Sequence, residues 1–284
     1  MKNTLRLAAL VFLPVVLLAQ PTPPKPDIPY GKNPTTGKFA EVNGIKLYYE
    51  TYGEGAPLLI IHGNGGAIAP MKPQLDFFVP HYRVIVADSR GHGKSDMGPG
   101  RLTYEQMAED LNALLDQLKV KSAYVLGQSD GGILGLLLAI HHPDKVGKLA
   151  AMGANLNPAG EYSWTLEADL KEGKLIDEMI AQGDQSQPWA AKKQYLDLVH
   201  NQPDIALADL EKISAPVLVM AGDKDVIRLE HTQQIFEHLK QAHLAIFPGA
   251  THFVRRENPD LFNQTVAKFF REPFTRPDTR DVFK

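Results

Sequence analysis

The sequence predicts an α/β protein with a mostly parallel, doubly wound sheet and an inserted helical lid. From Phe39 onward, short β-rich runs alternate with amphipathic helical stretches, which is typical of a parallel sheet with helices on both faces. The runs at 58–61 and 84–87 are apolar throughout, as strands covered on two sides require. After Ala154 the alternation stops for about 50 residues, and two helical patterns replace it. These patterns predict a lid insertion at about 155–207.

Each element of the predicted body follows from its local pattern. Residue types that favour β-structure, in short apolar or alternating runs, predict strands at 46–51, 57–61, 83–87, 123–126, 146–152, 216–220 and 244–247. Helical spacing of apolar residues predicts body helices at 104–118, 132–140 and 229–239, and lid helices around 164–180 and 189–199. A last helix is expected to start with Asn258 as its N-cap and Pro259 as its first residue.

The domain organisation predicted from these patterns has four parts. Residues 1–20 form a signal peptide, and residues 21–38, with six prolines and little apolar content, form an extended tether. Residues 39–272 form the folded body, which includes the lid insertion. Residues 273–284 form a C-terminal tail.

The first 20 residues have the features of a secretory signal. Lys2 and Arg6 give a short positive region, the stretch from Leu7 to Ala19 is apolar, and Ala19 is small enough to precede a cleavage site. The apolar stretch is too short to span a bilayer. We therefore expect a secreted or periplasmic protein without stable membrane insertion after cleavage. An uncleaved membrane anchor is the alternative, because Leu17 is a poor residue near the cleavage site.

Composition limits the classes of partner. Hydrophobic residues make up 44% of the chain and charged residues 22%, as in a globular protein with a substantial core. The formal net charge is −3 without blocks of like charge, so neither a nucleic-acid partner nor a strongly anionic substrate is predicted. There is no cysteine and therefore no disulfide. The expected partner is a small-molecule substrate, without metal or organic cofactor, and the sequence does not predict an oligomeric state.

The segment Gly127-Gln128-Ser129-Asp130-Gly131 is the strongest functional signal. It follows the apolar run at 123–126 and precedes the apolar helical pattern at 132–140, which predicts a strand, a sharp turn and a helix. Small residues on both sides of Ser129 permit a tight backbone bend that holds its hydroxyl at the tip of the turn. Ser129 is therefore the candidate nucleophile.

A serine nucleophile needs a base and an acid that orients the base. His252 is the candidate base, because it lies in a loop directly after the last predicted strand. The acid is expected after the preceding strand, where Asp223 and Asp225 are both candidates. Asp225 is chosen because the chain must reverse through residues 222–224 before a carboxylate can point toward His252. Asp223 is then expected to form the turn.

The chain order Ser129, Asp225, His252 resembles that of the α/β-hydrolase family, and the resemblance covers roughly residues 40–272. The segments 62–66, 88–95 and 222–225 are similar to further landmarks of that family. The resemblance implies that the backbone N–H groups of Asn64 and Asp130 form an oxyanion hole. Asp130 opens a helix whose free N–H groups and dipole favour negative charge, which agrees with that role.

Two other segments bear on the substrate. Residues 88–95 partly match a phosphate-binding loop, but Asp88 stands where such a loop has its first glycine and would repel phosphate.

The segments 127–132 and 153–155 resemble valacyclovir hydrolase and other biphenyl-hydrolase-like members of the family. That resemblance implies that Asp130 contacts the ammonium of amino-acid esters, whereas the alternative is that Asp130 only complements the helix N-terminus. Trp164 and Trp189 in the lid are candidate substrate contacts.

The predicted function is hydrolysis of a small-molecule carboxylic ester by a serine hydrolase, through a Ser-His-Asp triad and an acyl-enzyme intermediate. Carbon–carbon bond hydrolysis or lysis on the same triad, and hydrolysis of amino-acid esters through Asp130, are the alternatives. A non-catalytic ligand receptor on the same fold is a further alternative.

Overall fold

The computed structural model describes residues 27–283, in which eight strands form one sheet. The spatial order is first, second, fourth, third, fifth, sixth, seventh and eighth strand along the chain. The second strand pairs antiparallel with the first and fourth, and all other neighbours pair parallel, which confirms the predicted fold class. The strands are β1 (Lys38–Val42), β2 (Ile45–Tyr52), β3 (Pro57–Ile61), β4 (Arg83–Ala87), β5 (Ala123–Gln128), β6 (Val146–Met152), β7 (Val217–Lys224) and β8 (Ala242–Thr251).

The described α-helices alternate with the strands after β3. They are α1 (Lys72–Phe78), α2 (Tyr104–Gln117), α3 (Asp130–His141), α4 (Ser163–Ala181), α5 (Trp189–Asn201), α6 (Leu229–His238), α7 (Val254–Glu257) and α8 (Pro259–Arg271). The predicted start of α8 is confirmed, because the Asn258 side chain accepts a hydrogen bond from the Leu261 N–H at 3.3 Å. β1, α1 and the short helix α7 have no counterpart among the elements predicted from the sequence.

The core lies on both faces of the sheet. Leu59 and Ile61 of β3 pack into one hydrophobic cluster, whereas Leu58 and Ile60 pack into the other, and all four are almost fully buried. Full burial of such a side chain stabilises the fold by about 1.5–3 kcal/mol. The uninterrupted apolar run of β3 is thus explained, because alternate side chains face opposite layers.

The chain before β1 is attached to the sheet through a buried carboxylate. Glu50 in β2 is fully buried and accepts hydrogen bonds from the N–H groups of Gly31 and Asn33, at 2.8 and 3.1 Å. The Tyr48 and Tyr52 hydroxyls donate to the same carboxylate, each at 2.7 Å. The described part of the predicted tether therefore contacts the body. The predicted signal peptide at 1–20 lies outside the described residues and stays a prediction.

The helices α4 and α5 lie between β6 and β7 in the chain and pack against each other. They occupy the segment for which a lid is predicted, and that assignment stays a prediction. Between residues 27 and 283, none of the helices combines the length and the apolar character that crossing a membrane requires.

Candidate active site

Ser129 lies at a strained turn between β5 and α3. Its backbone has φ of 58° and ψ of −124°, in a region that a residue with a side chain seldom adopts. Glycines make the turn possible: a Cβ at Gly127 would lie 2.0 Å from the Gly131 carbonyl oxygen, and one at Gly131 would lie 2.3 Å from the Ile61 carbonyl oxygen. The Ser129 N–H donates to the Met152 carbonyl at 2.7 Å. The turn is thus held by both neighbouring strands of β5.

His252 and Asp225 form a hydrogen-bonded pair at the carboxyl ends of β7 and β8. His252 Nδ1 lies 2.7 Å from Asp225 Oδ1, and both side chains are buried. The Asp225 carboxylate also accepts from the Gly222 and Ile227 N–H groups, at 3.2 and 3.1 Å. If His252 donates from Nδ1 to this carboxylate, its Nε2 is left as a proton acceptor.

Asp223, the other candidate acid, faces a different partner. Its Oδ2 accepts from the Gly249 N–H at 2.9 Å, and so it links β7 to β8. The expected turn at 222–224 is not formed, because these residues continue strand β7 beside β8. Gly153 keeps the space beside the imidazole open, since a Cβ there would lie 2.6 Å from His252 Cε1. His252 and Ser129 line the same cavity.

Asn64 and Asp130, the candidate oxyanion-hole residues, lie in the loop after β3 and directly after Ser129. Asp130 is the first residue of α3, where backbone N–H groups lack partners within the helix. Gly63 allows the loop after β3 to lie close to the turn, because a Cβ at position 63 would be only 3.0 Å from Ser129 Cβ. Asn64 Nδ2 donates to Asp130 Oδ2 at 3.0 Å and to the Tyr195 carbonyl at 3.2 Å. The two residues are therefore linked through their side chains.

The Asp130 carboxylate is enclosed by other side chains. It is 3% exposed, and its second oxygen accepts from the Tyr104 hydroxyl at 2.9 Å. Burial raises the pKa of Asp130 from 3.8 to about 6, although the hydrogen bonds from Tyr104 and Asn64 oppose that rise. Asp130 lines a small cavity of about 50 Å³ that also contacts Ser129 and His252. Both carboxylate oxygens already have donors.

Replacement of Asp130 by Asn is expected to flatten the pH dependence of stability. Because the folded-state pKa is about 6 and the ordinary value is 3.8, the folded protein retains a proton that the unfolded chain releases between these pH values. The stability from this group is fully present below pH 3.8 and is lost as pH rises through 6, by on the order of 2–3 kcal/mol. Denaturant unfolding of wild type and Asp130→Asn at pH 4 to 7 measures the difference. The exposed Asp144→Asn is the control, and equal slopes for all three proteins would contradict this account.

The segment 88–95 closes on itself and on the loop after β3. Asp88 accepts from the N–H groups of Ile68 and Lys94, at 2.8 and 2.9 Å. A Cβ at Gly93 would lie 2.2 Å from an Asp88 carboxylate oxygen. The Ser89 N–H donates to His62 Nε2 at 2.9 Å, and burial lowers the pKa of His62 to about 4. The segment is thus held together by its own hydrogen bonds, and the Lys94 N–H, which a phosphate-binding loop would offer to its ligand, already donates to Asp88.

The main cavity has a volume of about 690 Å³ and reaches Ser129 from the side of α4 and α5. Trp164 and Tyr195 line it, whereas Trp189 lines a separate cavity and donates to Asp184 at 2.6 Å. The main cavity is also lined by charged residues that were not predicted from the sequence, because no local motif marks them. They are Glu161, Asp169, Glu172, Lys192, Arg255 and Arg256. Within residues 27–283, no group of three or more His, Asp or Glu side chains is placed to hold a metal ion.

A family model described as the α/β hydrolase fold matches residues 56–202. The chain belongs to this family. The hydrolase is 28% identical over 246 residues to 3-oxoadipate enol-lactonase 2 of Acinetobacter baylyi, covering 78% of this chain and 92% of that protein. It is 29% identical over 262 residues to human serine hydrolase BPHL, covering 87% and 90%.

Solved structures agree with this assignment. An N-acyl homoserine lactone degrading enzyme, Est816, is 26% identical to the hydrolase and superimposes with a TM-score of 0.67, covering 82% of this chain and all of that one. Relatives of the chain are thus named hydrolases that include a lactonase and a serine hydrolase. The protein is an α/β-fold hydrolase that acts on small molecules. Its nucleophile, base, acid and oxyanion donors stay predictions.

Proposed function

We propose that this hydrolase cleaves small-molecule carboxylic esters through Ser129, His252 and Asp225. The observation that carries the proposal is the 2.7 Å contact between His252 Nδ1 and Asp225 Oδ1, with His252 and Ser129 lining one cavity. A serine hydroxyl at a strained turn beside an oriented imidazole is the arrangement that nucleophilic acyl transfer needs. The curated relatives, whose names include an enol-lactonase, support a substrate with an ester-type carbonyl.

In the first half of the reaction, Ser129 Oγ forms a bond to the ester carbonyl carbon while His252 Nε2 takes the Oγ proton. The negative charge on the former carbonyl oxygen is stabilised by the N–H groups of Asn64 and Asp130, and such donors are each worth roughly 3 kcal/mol of barrier. The bond between the carbonyl carbon and the alcohol oxygen then breaks. His252 gives its proton to the departing alcohol, and an acyl group remains on Ser129.

In the second half, water attacks the acyl carbon and His252 Nε2 takes a proton from that water. The bond from Ser129 Oγ to the acyl carbon breaks, the acid is released, and the proton returns to Ser129. Asp225 stabilises the imidazolium in both halves and does not itself take the proton. The net reaction converts one ester and one water into one acid and one alcohol.

The surroundings of Asp130 make it a less favourable contact for the ammonium group of an amino-acid ester. A carboxylate that pairs with a substrate ammonium must offer an oxygen to it. Both oxygens of Asp130 accept hydrogen bonds from Tyr104 and Asn64, and the side chain is 3% exposed. Ester hydrolysis without a requirement for an ammonium group is therefore the primary proposal.

Turnover of a substrate panel tests the proposed reaction. The purified protein is expected to release 4-nitrophenol from 4-nitrophenyl butyrate, and to hydrolyse neutral esters at least as well as matched amino-acid esters. Product analysis by chromatography includes a β-diketone, because carbon–carbon cleavage is possible on the same fold. Cleavage of the diketone without turnover of any ester would replace this proposal with carbon–carbon hydrolysis. Thermal stabilisation by the esters without products would favour a receptor.

We also propose that the protein is exported to the periplasm or the medium. The apolar stretch from Leu7 to Ala19, with Lys2 and Arg6 at its amino-terminal side, supports this proposal. The intact mass of the protein recovered from its producing cells provides the test. Processing near Ala19 is expected, and a full-length protein retained with the cell membrane would favour an uncleaved anchor.

A further inference from the structure

Arg255 carries a buried positive charge beside the candidate active site. It lies in α7, three residues after His252, is 3% exposed and lines the main cavity with Ser129. Arginine is almost never buried to this degree unless it is paired with a carboxylate or phosphate. Among the described residues, however, Arg255 forms no ion pair. Its charge is left without a counter-ion in residues 27–283.

The hydrogen bonds of Arg255 fix its guanidinium without neutralising it. Nε donates to Gln128 Oε1 at 2.9 Å, and Nη1 donates to the Pro70 carbonyl at 2.9 Å. Both acceptors are neutral. Nη2 donates no hydrogen bond to any residue in the described part of the chain. Two bonds therefore hold the group in one orientation beside the Gln128 side chain, in the wall of the cavity that Ser129 also lines, and leave donor capacity for a ligand.

The surroundings of Arg255 keep its guanidinium protonated and, within residues 27–283, provide no carboxylate to neutralise its charge. Burial lowers the pKa of Arg255 to about 10, and the positive charge of Arg256 contributes to that shift, so that Arg255 stays protonated near neutral pH. The carboxylates that line the cavity are Glu161, Asp169 and Glu172, which belong to α4 and the segment just before it. None of them pairs with Arg255, and Asp169 already lies 3.3 Å from His200. An anion that enters the cavity would supply the missing counter-ion.

We propose that Arg255 binds a carboxylate on the substrate, so that the preferred esters carry a second, free carboxylate a few bonds from the scissile carbonyl. This inference rests on the ester hydrolysis proposed above and adds a specificity residue to it. Arg255 acts in binding and orientation, since its fixed guanidinium aligns an acid-bearing acyl chain with Ser129 Oγ. Recognition requires one carboxylate near the nucleophile and is compatible with the small net charge of the chain.

Two esters of equal shape separate this proposal from ordinary esterase activity. The anionic ester is 4-nitrophenyl hydrogen glutarate. The neutral one is 4-nitrophenyl 5-oxohexanoate, in which a methyl ketone replaces the carboxylate. Wild type is expected to prefer the anionic ester in kcat/KM by about tenfold or more, because hydrogen bonds to charged groups are worth roughly 1.5–3 kcal/mol, or about tenfold to hundredfold. Rates measured with Ser129→Ala correct for spontaneous breakdown of both esters.

Variants at Arg255, with a control at an exposed arginine outside the cavity, assign the preference to one side chain. Arg255→Gln is expected to lower kcat/KM for the anionic ester by about tenfold to hundredfold, mainly through KM, with a change below about threefold for the neutral ester. Arg255→Lys keeps the charge and should retain part of the preference. Arg271→Gln makes the same charge change at the exposed last residue of α8, outside the residues that line the main cavity, and should alter the ratio of the two esters by less than about threefold.

Each outcome bears on one proposal. If wild type hydrolyses the neutral ester but shows no preference for the anionic one and no competitive inhibition by glutarate, the carboxylate site is wrong and the esterase proposal stands. Equal losses of kcat/KM for both esters in Arg255→Gln would likewise overturn the carboxylate site, because they would indicate that Arg255 only holds the Gln128 side chain in place. If Arg255→Gln does not fold, the preference of wild type for the anionic ester and its competitive inhibition by glutarate still test the carboxylate site. Failure of wild type to hydrolyse either ester would overturn the proposed function itself.

Discussion

Ser129→Ala is expected to lower kcat/KM for 4-nitrophenyl butyrate by about 10⁵-fold, because the variant has no hydroxyl to form the acyl-enzyme. Alanine keeps the Cβ of residue 129, so the backbone strain at its positive φ is unchanged. The thermal midpoint should therefore shift by no more than about 2 °C. Initial rates and thermal unfolding of both proteins provide the measurement.

Ser214→Ala is the matched control for this loss. Ser214 is exposed and lies before β7, away from the residues that line the main cavity. Its replacement should leave both the rate and the thermal midpoint at wild-type values. Comparable esterase activity in Ser129→Ala and wild type would contradict the assignment of the nucleophile.

Asp225→Asn is expected to lower kcat by about 10³- to 10⁴-fold. In the proposed mechanism the Asp225 carboxylate accepts a hydrogen bond from the His252 Nδ1–H group, across 2.7 Å, which leaves Nε2 free to act as the base. An amide at this position can donate to Nδ1 and so favours the tautomer in which Nε2 carries the proton. Steady-state kinetics at several pH values measures the loss.

Asp223→Asn is the paired variant, because Asp223 is the other candidate acid and lies two residues before Asp225, at the end of β7. Its carboxylate accepts from the Gly249 N–H and makes no contact with His252 among the described hydrogen bonds. Its replacement should cost about 1 kcal/mol of stability and little activity. A large kinetic loss in Asp223→Asn combined with a small loss in Asp225→Asn would move the acid to Asp223.

The parts of the fold predicted from sequence are those in which the local pattern and the tertiary environment agree. The β3 and β4 runs are apolar throughout because both faces of the sheet are covered, and their predicted bounds match the structure. α8 begins as predicted because Asn258 caps it and Pro259 suits the first position. The helix after Ser129 begins two residues earlier than predicted, since Asp130 and Gly131 are already helical beyond the sharp turn.

The parts that were not predicted depend on contacts between distant segments. β1 is a short edge strand, and it owes its existence to pairing with β2. The enclosure of Asp130 requires Tyr104 and Asn64, which lie 26 and 66 residues away along the chain. The charge of Arg255 is significant only because the fold brings Gln128 and Pro70 to it and, among residues 27–283, pairs it with no carboxylate. No local sequence motif marks these long-range contacts, whereas the turn at Ser129 is marked by the motif at 127–131.

Covalent labelling of the wild-type protein with a fluorophosphonate, followed by peptide mass spectrometry, tests the central claim most directly. An oriented imidazole beside Ser129 predicts one phosphonyl group per chain, on the peptide that contains Ser129, with loss of ester turnover in proportion to labelling. Labelling is expected to disappear in Ser129→Ala and to slow strongly in Asp225→Asn. An active esterase that carries the label on another residue, or that takes up none, would contradict the account.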